Sequence, residues 1–352
     1  MSDRDDIPAD GDAADHAPVD EHATDHTPGD EHAADPETDG GSPAVDDAPG
    51  EGQPGDAAAL GETERSQPPV VRRSKAFIAR FRRNRLAVAG LAIMTAFVLV
   101  AVLAPILAPY DPAAVDVPNK LQPPSAEHPM GTDRYGRDMF SRVLLGARIA
   151  VQVAVATPVV AMSVGVPIGL VAGYAGGRTD DVLMRLMDAI FAFPTILLGL
   201  TLVAVFGQSL TNIVLALGIV FIPQFARITR GSAVSVAQEE HVRVARSLGA
   251  SDTRILLLHV LPFCISAILV QATITAALAI ILESSLSFLG VGVPPPKPSW
   301  GSMLRVGKGY INSGEWWYSV FPGLAIVASV LGFNLLGDGL RDVLDPRSDP
   351  NR

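Results

Sequence analysis

The stretch HVRVARSLGASDTRILLLHVLP, His241 to Pro262, decides how this chain folds. It is a polar island between two long apolar segments, and its pattern is a helix, a glycine break and a second helix. Arg243, Val244, Ala245 and Arg246 suit a helix. Gly249 is where that helix should end, because a left-handed closing residue costs glycine least. After Ala250, Ser251 stands where it caps a second helix, with Asp252 at the positive end and Arg254 within it. Leu256, Leu257 and Leu258 lead through Leu261 into the next apolar run, whose start Pro262 marks. Such order in a loop fits a docking surface. An amphipathic turn lying on lipid fits the same pattern, and the stretch alone does not choose between them.

Working outward, composition divides the chain. Of its 352 residues 48% are hydrophobic and 18% charged, and the net charge of −10 is unevenly spread. Residues 1–69 hold 20 Asp and Glu against two Arg, so the rest of the chain is positive. This N-terminal part, taken as 1–70, almost lacks large apolar residues and is expected to be a disordered acidic cytoplasmic tail. It repeats DHAPVDEHAT from Asp15 as DHTPGDEHAA from Asp25, a solvated repeat rather than a metal site. It contains no apolar core of a secretory signal. From 71 to 85 the sign reverses: Arg72, Arg73, Lys75, Arg80, Arg82, Arg83 and Arg85 interleave with Phe77, Ile78 and Phe81. Directly before an apolar run this reads as a juxtamembrane anchor and not as a nucleic-acid surface. The single cysteine, Cys264, excludes an internal disulfide framework and a cysteine zinc site.

The fold class expected is all-α, a polytopic membrane protein within 86–347, followed by a short tail at 348–352. A helix crosses the hydrocarbon core with roughly 20 residues. Six spans are read, at about 86–108, 149–174, 189–206, 212–225, 263–282 and 318–336. Gly165, Gly169, Gly173 and Gly177 recur every four residues, the spacing that lets helices approach closely. Gly207, Gln208, Ser209 and Asn212 turn a hairpin between the third and fourth spans. Arg185 and Asp188 stand one turn apart and able to pair. Glu283 closes the fifth span. Trp316, Trp317 and Tyr318 read as an interfacial belt. Basic residues near span ends place both termini and the 241–262 island on the cytoplasmic side.

Two stretches fall on the other side. HPMGTDRYGRDMFSRVLLGAR, His128 to Arg148, offers turns at Gly131 and Gly136, then an amphipathic helix. Asp133, Arg134, Arg137, Asp138 and Arg142 are expected to form an ion-pair network; a catalytic pairing of His128 with Asp133 lacks a nucleophile. The second stretch, 290–316, is irregular, with room for one short helix. GSMLRVGKG from Gly301 has five residues between its glycines and Gly309 after Lys308, so it is not a phosphate-binding loop. No metalloprotease or serine-nucleophile motif occurs, and no charge is expected at the membrane midplane, which disfavours a proton-driven carrier. A secondary transporter or channel remains the alternative to a pathway driven from outside the chain.

The stretch VARSLGASDTRILLLHVLP resembles the cytoplasmic loop of binding-protein-dependent ABC importer permeases, whose pattern is Glu-Ala-Ala, three residues, Gly, nine residues, Ile-x-Leu-Pro. Ala245, Gly249, Leu261 and Pro262 match; Arg243, Val244 and His259 replace the Glu, the first Ala and the Ile. HPMGTDRYGRDMFSRVLLGAR, ESSLSFLGVGVPPPKPSWGSML and FNLLGDGLRDVLDPR resemble the dipeptide, oligopeptide and nickel branch, and together the likeness covers about 72–347. The resemblance implies the type I ABC importer permease fold and no enzymatic activity of the chain's own. It implies a second homologous permease, two ATPase subunits that bind ATP and Mg, and an extracytoplasmic solute-binding protein. The chain itself then carries no cofactor and no metal, and meets the lipid bilayer and no nucleic acid. Ala245, Arg246, Gly249, Ala250, Ser251, Asp252, Arg254, Leu261 and Pro262 would couple to the ATPases. Gly131, Asp133, Gly136, Arg137, Asp138, Glu283 and Trp300 would form the outer gate that meets the binding protein.

Overall fold

A computed structural model of the chain describes residues 81–82 and 84–344. The expectations for the acidic tail at 1–70, most of the basic segment at 71–85 and the tail at 348–352 lie outside the described residues. The described residues are helical apart from turns and one isolated bridge between Thr132 and Asp138.

Ten helices follow in order: α1 (Arg85–Leu107), α2 (Met139–Ala175), α3 (Gly177–Phe191), α4 (Thr195–Phe206), α5 (Leu210–Ala237), α6 (Glu240–Ser247), α7 (Asp252–Ile255), α8 (Leu261–Leu289), α9 (Trp300–Gly307) and α10 (Trp317–Leu344). Helix α2 packs chiefly on α5 and α1 on α10, while α8 touches α2, α5 and α10. One buried cluster joins α2, α5 and α8 to the island through Phe221, Phe225, Val242, Ile255 and Cys264. Another, around Met139, Trp300, Trp317 and Phe333, fills the opposite end. Large apolar side chains on the outside of α1 and α10, such as Ile106 and Val327, stay exposed. That is the exterior a helix bundle presents to lipid, and burial is therefore no guide to stability on those faces.

Five helices are long and apolar enough to cross a membrane, and six spans result if α3 and α4 count as one bent pair. The third span is thus not a straight helix over 189–206. It is α3 and α4 meeting at 85°. Pro194 stands at the N-cap of α4, where its missing N–H costs nothing and where it keeps the residue before it out of the helix. The hairpin turn is as read: Gly207 has φ of +90°, Ser209 accepts from the Asn212 N–H, and the Asn212 amide donates to the carbonyls of Phe206 (2.6 Å) and Gly207 (3.1 Å).

The other helices run past the boundaries that charge had set. Helix α2 begins at Met139, capped by the Asp138 carboxylate, which accepts from the Ser141 N–H at 2.7 Å. The fourth span's helix continues beyond Phe225 to Ala237, and on it Arg227 and Arg230 pair with Asp188 and Asp180 on α3. Asp188 therefore bonds Arg227 at 2.6 Å and not Arg185, the partner that sequence spacing suggests. Glu283 does not close the fifth span; α8 carries it, buried, and runs on to Leu289. Of the expected aromatic belt only Trp316 is exposed, whereas Trp317 and Tyr318 are buried. Helix α10 runs past the expected end at 336, through Asp338, Arg341 and Asp342, to Leu344.

Candidate functional site

The island forms the turn its sequence prescribes. Gly249 has φ of +81°. The Ala250 N–H donates to the Ala245 carbonyl (3.1 Å) and the Gly249 N–H to that of Arg246 (3.0 Å). This pair of bonds is the Schellman closure, which satisfies the last carbonyls of α6. Ser251 stands at the N-cap of α7, but its hydroxyl caps nothing; Asp252 lies in the first turn as expected. A single π-helical turn, Leu256–Val260, then joins α7 to α8, and the Leu261 N–H reaches back to the Leu256 carbonyl. The wide turn lies immediately before Pro262, which has no N–H to offer a regular helix.

The turn is anchored from one side and bare on the other. Val242, Ala245, Ile255 and Val260 are buried in the bundle core. Leu248 is 82% exposed, and Arg243, Arg246, Ser251, Asp252, Arg254 and Pro262 are exposed as well. Polar anchors add to the apolar ones. The Tyr174 hydroxyl at the end of α2 donates to Asp252 at 2.7 Å, and the Arg246 guanidinium lies 5.1 Å from the Tyr174 ring centre. That neighbour raises the Arg246 pKa further above its ordinary value, so its charge is fixed. The His241 Nε2–H donates to the His259 carbonyl (3.2 Å), and the ring lies 4.8 Å from that of Phe263. Tyr174 carries no signal along the chain, since 78 residues separate it from Asp252.

The glycine seam lies against α5. A Cβ on Gly165, Gly169 or Gly173 would come within 2.4–2.7 Å of a carbonyl oxygen of Ile222, Ala226 or Arg230. Gly177 does not share the seam. It has φ of +52°, and a Cβ added there would meet nothing within 4 Å, because α2 ends at Ala175 and Gly176–Gly177 form the turn into α3.

At the far end the 128–148 stretch folds around Asp133. Its carboxylate accepts from the backbone N–H groups of Tyr135 (2.8 Å) and Arg137 (3.0 Å) and from the Arg137 side chain (2.6 Å), with Arg142 3.7 Å away. Gly131 and Gly136 take φ of +71° and +77°. Asp138 caps α2 and bonds His128 at 2.9 Å, so the network divides into Asp133 with Arg137 and Arg142, and Asp138 with His128; His128 faces Asp138 and not Asp133. Trp300 lies in a slot left by Gly146 and donates to the Val143 carbonyl at 2.9 Å. Glu283 accepts from Ser287 at 2.7 Å. Gly131, Asp133, Gly136, Asp138, Glu283 and Trp300 are all buried, so they shape this end, and the surface belongs to Arg134, Tyr135, Lys297, Arg305 and Lys308. The GSMLRVGKG stretch is helix α9, begun by a Ser299–Ser302 capping box.

Residues 165–350 match the family model described as the binding-protein-dependent transport system inner membrane component, and 74–124 match the N-terminal transmembrane domain of oligopeptide transport permease C. The chain belongs to this family of transport permeases. The permease is 42% identical to a dipeptide transport system permease protein of Alkalihalophilus pseudofirmus over 76% of its own length and 88% of that protein. It is 38% identical to an oligopeptide transport system permease protein of Bacillus subtilis over 83% and 95%, and 42% identical to a glutathione transport system permease protein of Pectobacterium atrosepticum over 77% and 90%. A chain of the inward-facing MetNI methionine ABC transporter aligns with 59% of the permease and 98% of itself, at a TM-score of 0.50 and 16% identity, a likeness of fold alone. The permease is the translocation-pathway subunit of an ATP-driven importer in the inner membrane, and such importers work with ATPase and substrate-binding partners. The secondary transporter or channel alternative is set aside.

Proposed function

We propose that the permease pairs with a second, related permease to enclose a pathway for peptides or a related small solute, driven by two ATPase subunits seated on the His241–Pro262 turn. One observation carries this reading: a glycine-closed helical turn, held rigidly from the core side by Val242, Ala245, Ile255 and Val260, with Leu248 outermost. A push on such a turn moves the bundle with it, because the anchors are close-packed and not compliant. Arg246, Asp252 and Arg254 supply polar contacts around the apolar tip. ATP and Mg are bound by the ATPase subunits, and the permease itself supplies no cofactor, metal or nucleic-acid site. Basic residues beside the turn favour the cytoplasmic side for it and for the N-terminus. The opposite end, built from 128–148 and 283–304, then meets the solute-binding protein. Peptide cargo is supported by the names of the dipeptide, oligopeptide and glutathione relatives.

In this scheme ATP binding closes the two ATPases and draws the Gly249 turn with them, opening the pathway outward; release of hydrolysis products resets it. Gly249→Glu tests it in proteoliposomes holding the whole assembly. A side chain at φ of +81° strains the turn by about 1 kcal/mol, and the new charge faces the ATPase. The expected result is a normally inserted protein with dipeptide uptake abolished and ATPase co-purification weakened. Uptake that persists when 241–262 is deleted refutes the scheme.

A further inference from the structure

At the end of the bundle remote from Gly249 a cavity of about 580 Å³ opens between the 128–148 stretch, the end of α8 and α9. Its wall includes Arg134, Arg137, Arg142, Lys297, Arg305 and Lys308, and no carboxylate. Among the described residues Arg134, Lys297, Arg305 and Lys308 form no ion pair. Behind the wall Asp133 is occupied by Arg137, and Glu283 accepts from the lining residue Ser287. Six cations therefore face a space whose lining holds no carboxylate.

The cations are also held in place. Arg134 and Arg137 lie 4.6 and 4.8 Å from the ring centre of Tyr135, and the Lys308 ammonium lies 4.7 Å from that of Phe288. Arg305 rests against Gly290, where a Cβ would stand 2.5 Å from its Nη1. Arg142 is buried; its Nη1 donates to the Pro112 carbonyl at 2.8 Å, and its Nε lies 3.7 Å from the Asp133 carboxylate. A cavity whose wall carries six cations and no carboxylate is one that an anion relieves. The volume falls within the roughly 300–1,000 Å³ of small-molecule sites. Planar guanidinium forks match a carboxylate, which they grip with two parallel bonds.

We propose that this cavity is a binding site for the free carboxylate of a small solute on its way into the pathway. The proposal rests on the importer reading for the origin of the solute. The Arg305 and Lys308 side chains grip the carboxylate, and an amino group on the same solute is repelled.

The test uses the full-length permease assembled with its partner subunits in nanodiscs, without the binding protein, and saturation-transfer NMR at matched ionic strength. The probes are N-acetyl-dialanine, dialanine and dialanine amide. Affinity should fall in that order, with the amide about tenfold or more weaker than dialanine, since it lacks the charge-assisted bonds. Arg305→Gln with Lys308→Gln should weaken dialanine binding about tenfold or more. Both side chains are exposed, so the substitutions leave the core intact. Lys120→Gln, an exposed cation outside the cavity, should change nothing. Equal affinity for acid and amide, or a double variant that binds as the wild type does, overturns the proposal. A double variant that binds dialanine normally but loses the solute-binding protein also overturns it, and assigns the cations to that partner. An assembly that imports dialanine without binding it here overturns the cavity assignment and leaves the importer reading standing.

Discussion

Gly169→Ala should destabilise the permease, whereas Gly231→Ala should not, although the two substitutions are chemically the same. A Cβ on Gly169 would stand 2.4 Å from the Ala226 carbonyl oxygen, 2.8 Å from the Thr229 Cβ and 3.0 Å from the Arg230 nitrogen. Ordinary contacts of this kind begin near 3.4 Å, so α2 and α5 must part by about 1 Å. The obstructing atoms are mostly helix backbone, which cannot rotate aside. Parting the helices also loosens the contacts of Gly165 and Gly173 in the same seam. Overpacking of this size costs about 1–3 kcal/mol, and alanine returns up to about 1 kcal/mol through its better helix propensity. The net expectation is a loss of about 1–2 kcal/mol. Gly231, on α5, has nothing within 4 Å of the added methyl, so only the propensity gain applies. The chain contains one cysteine, Cys264, and it is fully buried, so a thiol-reactive fluorogenic maleimide reports unfolding at a single site. In a thermal ramp of the purified protein in detergent, Gly169→Ala should expose Cys264 at a lower temperature than the wild type and Gly231→Ala at the same or a higher one. Coincident midpoints for the two variants would refute the seam as a close backbone contact.

Two further outcomes follow from side-chain partners. Glu283→Ala leaves the buried Ser287 hydroxyl without its 2.7 Å acceptor and should cost about 1–3 kcal/mol, whereas Glu283→Gln keeps an acceptor and should cost less; the same Cys264 thermal ramp separates them. Asp180→Arg should destabilise the contact between α3 and α5 by placing two guanidiniums together, and the exchange Asp180→Arg with Arg230→Asp should recover much of the loss; if the double variant is no better than the singles, the pair contributes only through its individual side chains.

What the sequence made legible was what depends on neighbours along the chain. Gly249 could be named as a left-handed helix end because a helical run stops there and only glycine adopts that conformation freely, and the hairpin at Gly207 followed from the same logic. Three of the four seam glycines were legible from their spacing alone; the fourth was not, because the helix that would have carried Gly177 into register ends at Ala175. The span boundaries failed for one shared reason. A charge ends an apolar helix only when it must reach water, and whether it must depends on a partner that the linear pattern does not reveal. Arg227 and Arg230 find carboxylates on α3, Glu283 finds the Ser287 hydroxyl, and in each case the helix runs on. The same partners hold the first part of the bent third span. Asp180 and Asp188 lie eight residues apart on α3, about 12 Å along a helix, and both are held by the polar end of α5. That holds α3 against α5, and the chain bends by 85° at Pro194 before α4 begins. Helix α3 therefore packs between α2 and α5. Tyr174, just before it, ties the same corner to Asp252. In the proposed scheme a force on the Gly249 turn therefore reaches α2 through the Tyr174–Asp252 contact, and the glycine seam that holds α2 against α5 carries it on.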